Sequence, residues 1–123
     1  MMTRLTIVAA FALVLAATAS APASAVETEK IFKFYCAQCH GLEGKGDGPN
    51  VTEDLKVSPR NFTNAKEMEK LSDADIKNVI MDGGPALSKS EIMPPWSETL
   101  SEEEVDALIG HLRKLCACTG KEG

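Results

Sequence analysis

Two cysteines and a histidine lie close together near the start of the chain, as Cys36, Cys39 and His40. Two thiols separated by two residues, with a histidine directly after the second, form the attachment pattern of a c-type haem. The thiols add to two vinyl groups on one haem edge, and the imidazole becomes the proximal iron ligand. A thioredoxin-like redox pair and half of a zinc site are the alternatives, but no strand pattern precedes Cys36. The motif therefore predicts one covalently attached haem c.

A glycine-rich segment follows His40 and ends at Gly48 and Pro49. Its glycines allow the backbone to lie close to a flat group. Phosphate binding is the alternative, but the segment follows no strand pattern and lacks the Gly-Lys-Ser/Thr ending of a phosphate loop. We expect the carbonyl of Pro49 to accept the Nδ1 proton of His40, because iron-bound histidines need such a partner to fix their tautomer.

The second axial position of the iron has four candidate side chains, namely Met68, Met81, Met93 and His111. Met93 is favoured because two prolines follow it, which hold the backbone extended and remove two amide donors. Met81 is expected to pack in the core. Met68 lies among charged residues, and His111 falls between core positions of the last helix. An open iron, or one bound by Met81, remains the alternative.

Three segments with helical periodicity predict an all-α protein, a bundle of about three to five helices around the haem. The first runs from about residue 28 to 39, the second starts after Ser72, and the third starts after Ser101. Asp75 and Glu104 stand three residues after these serines, where they complete capping boxes. The expected core residues of the three helices are Ile31, Phe34 and Tyr35, then Ile76, Val79 and Ile80, then Val105, Leu108, Ile109, Leu112 and Leu115.

The first 25 residues have the pattern of a secretory signal peptide, with Arg4, an apolar run and the cleavage signal Ala23-Ser24-Ala25. A membrane span is the alternative, but the run is short and no basic segment follows it. Cleavage after Ala25 leaves one domain of residues 26–123 and changes the formal net charge from −5 to −6. This acidity argues against nucleic-acid binding. We expect an exported, periplasmic protein without a membrane span.

The chain resembles the class I monohaem cytochromes c over essentially its whole mature length. The resemblance is carried by Cys36 to His40, by Gly48-Pro49-Asn50, and by Met93-Pro94-Pro95-Trp96 before an amphipathic helix. It implies N- and C-terminal helices that cross and a haem crevice with one exposed edge. In that family the residue equivalent to Pro49 makes the histidine hydrogen bond. By analogy Arg60 lies near a haem propionate, and Trp96 is counted with the haem-binding residues.

The resemblance implies electron transfer, and an iron with both axial positions filled by His40 and Met93 has no vacant site for a substrate. We therefore expect a one-electron carrier rather than an enzyme, which docks transiently with redox-partner proteins at the exposed haem edge. It is expected to be a monomer. The alternatives are a peroxidase or a gas or redox sensor, which would need an open or labile iron site, and a thiol or metal-binding protein.

Cys116 and Cys118 depart from the monohaem pattern, because no histidine follows them. They are expected at a fraying helix end, beyond Leu115 as the last core residue. In an oxidising compartment they can form a surface disulfide with each other, stay as thiols, join two chains or bind a soft metal. The sequence leaves these possibilities open.

Overall fold

The computed structural model describes residues 24–87 and 90–123, so the predicted signal peptide lies almost wholly outside the described residues. This part of the chain is helical and contains no β-strand, which confirms the predicted fold class. None of its helices combines the length and the apolar character that a bilayer crossing requires. The elements are α1 (Ala25–Ile31), a π-helical segment (Phe32–Cys36), α2 (Ala37–His40), α3 (Ala65–Met68), α4 (Asp73–Asp82), a 3₁₀-helix (Gly84–Leu87) and α5 (Glu102–Cys116).

The first predicted helix contains a π-helical turn that the sequence did not reveal. The amide of Ala37 donates to the carbonyl of Phe32, which is five residues earlier, whereas an α-helical amide donates to the carbonyl four residues earlier. The wider turn changes which side chains face inward, so Phe32 is 1% exposed while Phe34 is 71% exposed. The prediction that Phe34 belongs to the core is therefore wrong, because a spacing of 3.6 residues per turn does not hold across a π turn.

The capping boxes of α4 and α5 are present as predicted. Ser72 accepts from the amide of Asp75 at 3.0 Å, and the Asp75 carboxylate accepts from the amide of Ser72 at 2.9 Å. Ser101 and Glu104 make the equivalent pair at 3.2 and 2.8 Å. The sequence Gly-Gly-Pro after α4 predicts its end, and Gly83 closes the helix with a φ of +85°. Side chains local to each helix therefore fix where α4 and α5 begin.

Helix α5 forms the centre of the core and packs against α1, α3 and α4. At its contact with the N-terminal helical segment, the rings of Phe32 and His111 lie 4.9 Å apart. This pairing of the first and last helices agrees with the expectation from the resemblance. Leu115 is only partly buried. The core residues are Ile31, Phe32, Ala37, Phe62, Met68, Ile76, Ile80, Leu100, Val105, Leu108, Ile109, Leu112 and Cys116.

Cys116 and Cys118 form a disulfide with each other. Cys116 is only 5% exposed and is a member of the core, so the prediction that the core ends at Leu115 is wrong. Ala117, between the two cysteines, adopts a left-handed conformation with a φ of +48° that ends α5. After this turn the tail folds back over the protein, and the amide of Lys121 donates to the carbonyl of Glu69 at 3.0 Å.

Candidate functional site

A cavity of about 380 Å³ lies between the haem-attachment motif, α3, α4 and the segment that carries Met93. Cys36, Cys39, His40 and Met93 all line it. Two thiols can attach a haem covalently, and an imidazole and a thioether can bind its iron, so these four side chains in one cavity are the set that a c-type haem requires. The residues present therefore fit a c-type haem. Most of the remaining wall is apolar, with Leu55, Val57, Met68, Leu71, Ile76, Val79, Ile80 and Leu112 among its members.

The glycine-rich segment holds the end of α2 rather than a flat group. The amides of Gly46 and Gly48 donate to the carbonyls of His40 and Cys39 at 2.7 and 3.0 Å. These carbonyls have no partner within the helix, so the loop satisfies them. A Cβ at Gly48 would collide with the carbonyl oxygen of Gln38, which explains why a glycine is needed there. The segment lies outside the cavity wall and acts by fixing the backbone that carries Cys39 and His40.

The imidazole of His40 is oriented by two contacts. Its Nδ1 lies 3.1 Å from the carbonyl oxygen of Arg60, and its ring stacks on Phe62 at 4.4 Å. A carbonyl can only accept, so Nδ1 carries the proton and Nε2 is left to bind iron. Burial lowers the pKa of His40, while the hydrogen bond to Arg60 opposes this shift. The ring is therefore held in the neutral form that a metal needs.

The expected hydrogen bond from His40 to Pro49 is not the one that forms. The amide of Asn50 donates to the carbonyl of Gln38 at 2.8 Å, which keeps the turn around Pro49 against α2. Pro49 is exposed at the surface and lies outside the cavity wall. The carbonyl of Arg60 therefore accepts the Nδ1 proton of His40, which was the role predicted for the carbonyl of Pro49.

The segment that carries Met93 is fastened to the end of α4. The carbonyl of Met93 accepts from the amide of Gly84 at 2.9 Å, and the amide of Trp96 donates to the carbonyl of Ile80 at 3.0 Å. The two prolines between these bonds lack amide hydrogens and restrict φ. The ring of Trp96 lies 5.1 Å from that of Tyr35, and both rings line the cavity. The backbone is therefore held against the end of α4 at Met93 and again at Trp96.

The other three candidates for the distal position are separated by the structure. Met68 lines the cavity and is completely buried, so it is a wall residue that sequence reasoning undervalued. The sequence signal for this helical turn was Asn64, a residue type that favours helix N-caps. Its side chain caps α3, the single turn that ends at Met68. Met81 and His111 lie outside the cavity wall. Met68 is therefore the only other methionine among the described residues that shares the cavity with Met93.

The polar part of the cavity wall is centred on Arg60, together with Ser58, Asn61 and Asn64. The Arg60 guanidinium lies 3.8 Å from the Glu67 carboxylate and is partly exposed. Arginine pairs well with planar carboxylates such as those of a haem propionate. Arg60 thus lies at the cavity with its carbonyl beside His40 and its guanidinium beside Glu67.

The thiol of Cys36 is poorly suited to redox exchange in the unmodified chain. Burial raises the pKa of Cys36 to about 12, so the thiolate that attacks disulfides is scarce at neutral pH. Catalytic Cys-x-x-Cys pairs have the opposite shift. The electrostatics therefore disfavour the thioredoxin-like alternative.

The helical fold and a cavity that combines the attachment motif with a histidine and a methionine define a c-type cytochrome. More narrowly, the chain belongs to the family described as cytochrome c oxidase, cbb3-type, subunit III, whose model matches residues 23–112. The resemblance to small cytochromes c is thereby confirmed. A search of curated proteins found no match.

Solved structures of c-type cytochromes are similar to this chain. The c-type cytochrome KustC0563 has 32% sequence identity and a TM-score of 0.58, with 72% of this chain and 95% of that chain covered. A mutant of the same cytochrome has 33% identity and a TM-score of 0.57, with 72% and 96% covered. A chain of the Kuenenia stuttgartiensis reducing HAO-like protein complex Kustc0457/Kustc0458 has 33% identity and a TM-score of 0.57. That match covers 72% of this chain and 40% of the other.

Proposed function

We propose that this protein is a periplasmic one-electron carrier with one haem c, attached through Cys36 and Cys39 and ligated by His40 and Met93. The observation that supports it is that these four side chains line one largely apolar cavity. The bound haem supplies a reversible change between ferric and ferrous iron. Redox partners exchange electrons with it in transient complexes at the exposed haem edge.

Each residue has a separate task in this proposal. The thioethers of Cys36 and Cys39 keep the haem in place in both oxidation states, and Nε2 of His40 binds the iron while Nδ1 stays protonated. Met93 would supply the second protein ligand to the iron, which would exclude an external ligand and favour the ferrous state because the thioether is soft. The guanidinium of Arg60 binds a propionate.

Covalent haem is tested by expressing the full-length chain in a host with a c-type haem maturation system. We expect export with cleavage after Ala25, one haem per chain in the pyridine haemochrome assay, and colour that persists in a denaturing gel. A colourless chain after successful maturation of a control cytochrome would overturn the proposal. Replacing His40 by alanine should give misligated iron or no holoprotein.

The distal ligand is tested with Met93→Ala, using Met81→Ala as the matched control, because Met81 lies outside the cavity wall. We expect the ferric protein and the control to show the weak near-infrared sulfur-to-iron band. Met93→Ala should lose this band and bind cyanide rapidly. If Met93→Ala keeps the band and Met68→Leu loses it, Met68 is the ligand. Rapid cyanide binding by the unmodified protein, with peroxide turnover, would instead support a peroxidase or sensor.

A further inference from the structure

Arg113, in the last turn of α5, binds the end of α3, the segment that follows it and the start of α4. Its Nη1 and Nη2 donate to the carbonyls of Met68 and Leu71 at 2.9 and 2.8 Å. Its Nε donates to the carboxylate of Asp73 at 2.9 Å. The side chain is only 12% exposed, whereas that of Asp73 is 67% exposed. The guanidinium is therefore bound both to two backbone carbonyls and to the Asp73 carboxylate, which Nη2 also approaches to 2.8 Å.

Both carbonyls belong to residues that line the cavity. Met68 ends α3, a helix of four residues, which is far too short to be stable by its own hydrogen bonds. The position of this wall therefore depends on contacts with the rest of the protein. The planar guanidinium can reach two carbonyls at once, which a lysine ammonium on a flexible stem does less well.

The C-terminal tail covers these hydrogen bonds. A Cβ at Gly120 would collide with Nη2 of Arg113 and with the carbonyl oxygen of Leu71, so the tail backbone lies directly on the pair. The tail is held there by the bond from Lys121 to Glu69 and begins at the Cys116–Cys118 disulfide. Exclusion of water strengthens hydrogen bonds to a charged donor.

We propose that Arg113 is a positioning residue for the haem site, which holds the Met68–Leu71 wall closed and keeps water from the iron. The inference rests on the proposed function. Without the guanidinium, the Leu71 carbonyl loses the partner that Arg113 supplies and the Met68 carbonyl keeps only the Leu71 amide, so the short helix α3 loosens. Water that enters stabilises the ferric state, which carries one more positive charge, so the midpoint potential falls.

The test compares holoproteins with Arg113→Gln and Lys114→Gln. Lys114 is exposed on the same turn of α5. Its replacement by glutamine removes one positive charge, as Arg113→Gln does, but leaves the hydrogen bonds to the cavity wall in place. We expect Arg113→Gln to lower the midpoint potential and to speed hydrogen exchange at the Leu71 amide, which donates to Met68, by about tenfold. Lys114→Gln should leave both unchanged. Arg113→Lys should fall between, because its ammonium keeps the charge but loses the fork.

A folded Arg113→Gln holoprotein with the potential and exchange rate of the Lys114→Gln control would overturn the inference. If Arg113→Gln does not yield holoprotein, Arg113→Lys decides by the same two measurements. The pyridine haemochrome of the unmodified protein separates the two proposals. A protein with covalent haem and insensitive Arg113 variants contradicts only this inference, whereas a chain without haem contradicts the proposed function itself.

Discussion

The Cys116–Cys118 disulfide should stabilise the fold although its ring is very small. The ring spans three residues, and the chain-entropy model gives about 1.6 kcal/mol for closing it at 25 °C. Cys116 is also a core residue, so its replacement by alanine leaves a small cavity that costs roughly 1 kcal/mol. The double variant Cys116→Ala, Cys118→Ala should therefore lose about 2 to 3 kcal/mol in the free energy of unfolding.

The assay is urea unfolding of the holoprotein without reductant, followed by far-ultraviolet circular dichroism. Cys118→Ser opens the ring but keeps the buried sulfur of Cys116, so it should lose only the ring contribution. Neither sulfur lines the cavity, so both variants should keep their haem, their spectrum and nearly their midpoint potential. A double variant within about 0.5 kcal/mol of the unmodified protein would refute this reasoning.

Three further outcomes are expected. Gly110→Ala should raise the free energy of unfolding by about 0.5 to 1 kcal/mol in urea titrations, because nothing lies near the added Cβ within α5. Phe32→Ala should lose about 3 to 5 kcal/mol in the same titrations, while the exposed Phe34→Ala should lose little, and equal losses would contradict the π turn. Burial lowers the pKa of His111 from 6.5, so the unfolded chain binds its proton first and stability falls as pH drops below about 6.5. His111→Gln should flatten this pH dependence in thermal melts, and an unchanged slope would contradict the shift.

Features encoded by neighbouring residues were predictable from the sequence. The serine and acidic residue of each capping box lie three positions apart, so the starts of α4 and α5 follow from local pattern alone. The attachment motif and the proline-rich segment after Met93 are equally local, and the structure brings both to one cavity. Here short-range chemistry and final structure agree.

Features that depend on distant parts of the chain were not predictable. The partner of His40 is a carbonyl twenty residues away, and which carbonyl reaches the ring depends on how two loops pack. Met68 has charged neighbours in sequence, and only the packing of α3 places it in the cavity wall. The π turn hid the burial of Phe32, because periodicity assumes a regular helix.

The four cysteines divide into two pairs with opposite chemical requirements during biogenesis. In the proposed function, haem attachment needs Cys36 and Cys39 as thiols, whereas Cys116 and Cys118 form a disulfide. Thiol–disulfide exchange requires an attacking thiolate to reach a sulfur atom, and packing of α5 makes Cys116 inaccessible. Once α5 has folded, a reductant can reach only the partly buried Cys118, and its attack must expel the sulfur of Cys116 as a thiolate inside the core, which opposes reduction of the C-terminal pair. The two pairs are thus distinguished by which of their sulfur atoms an external thiol can reach.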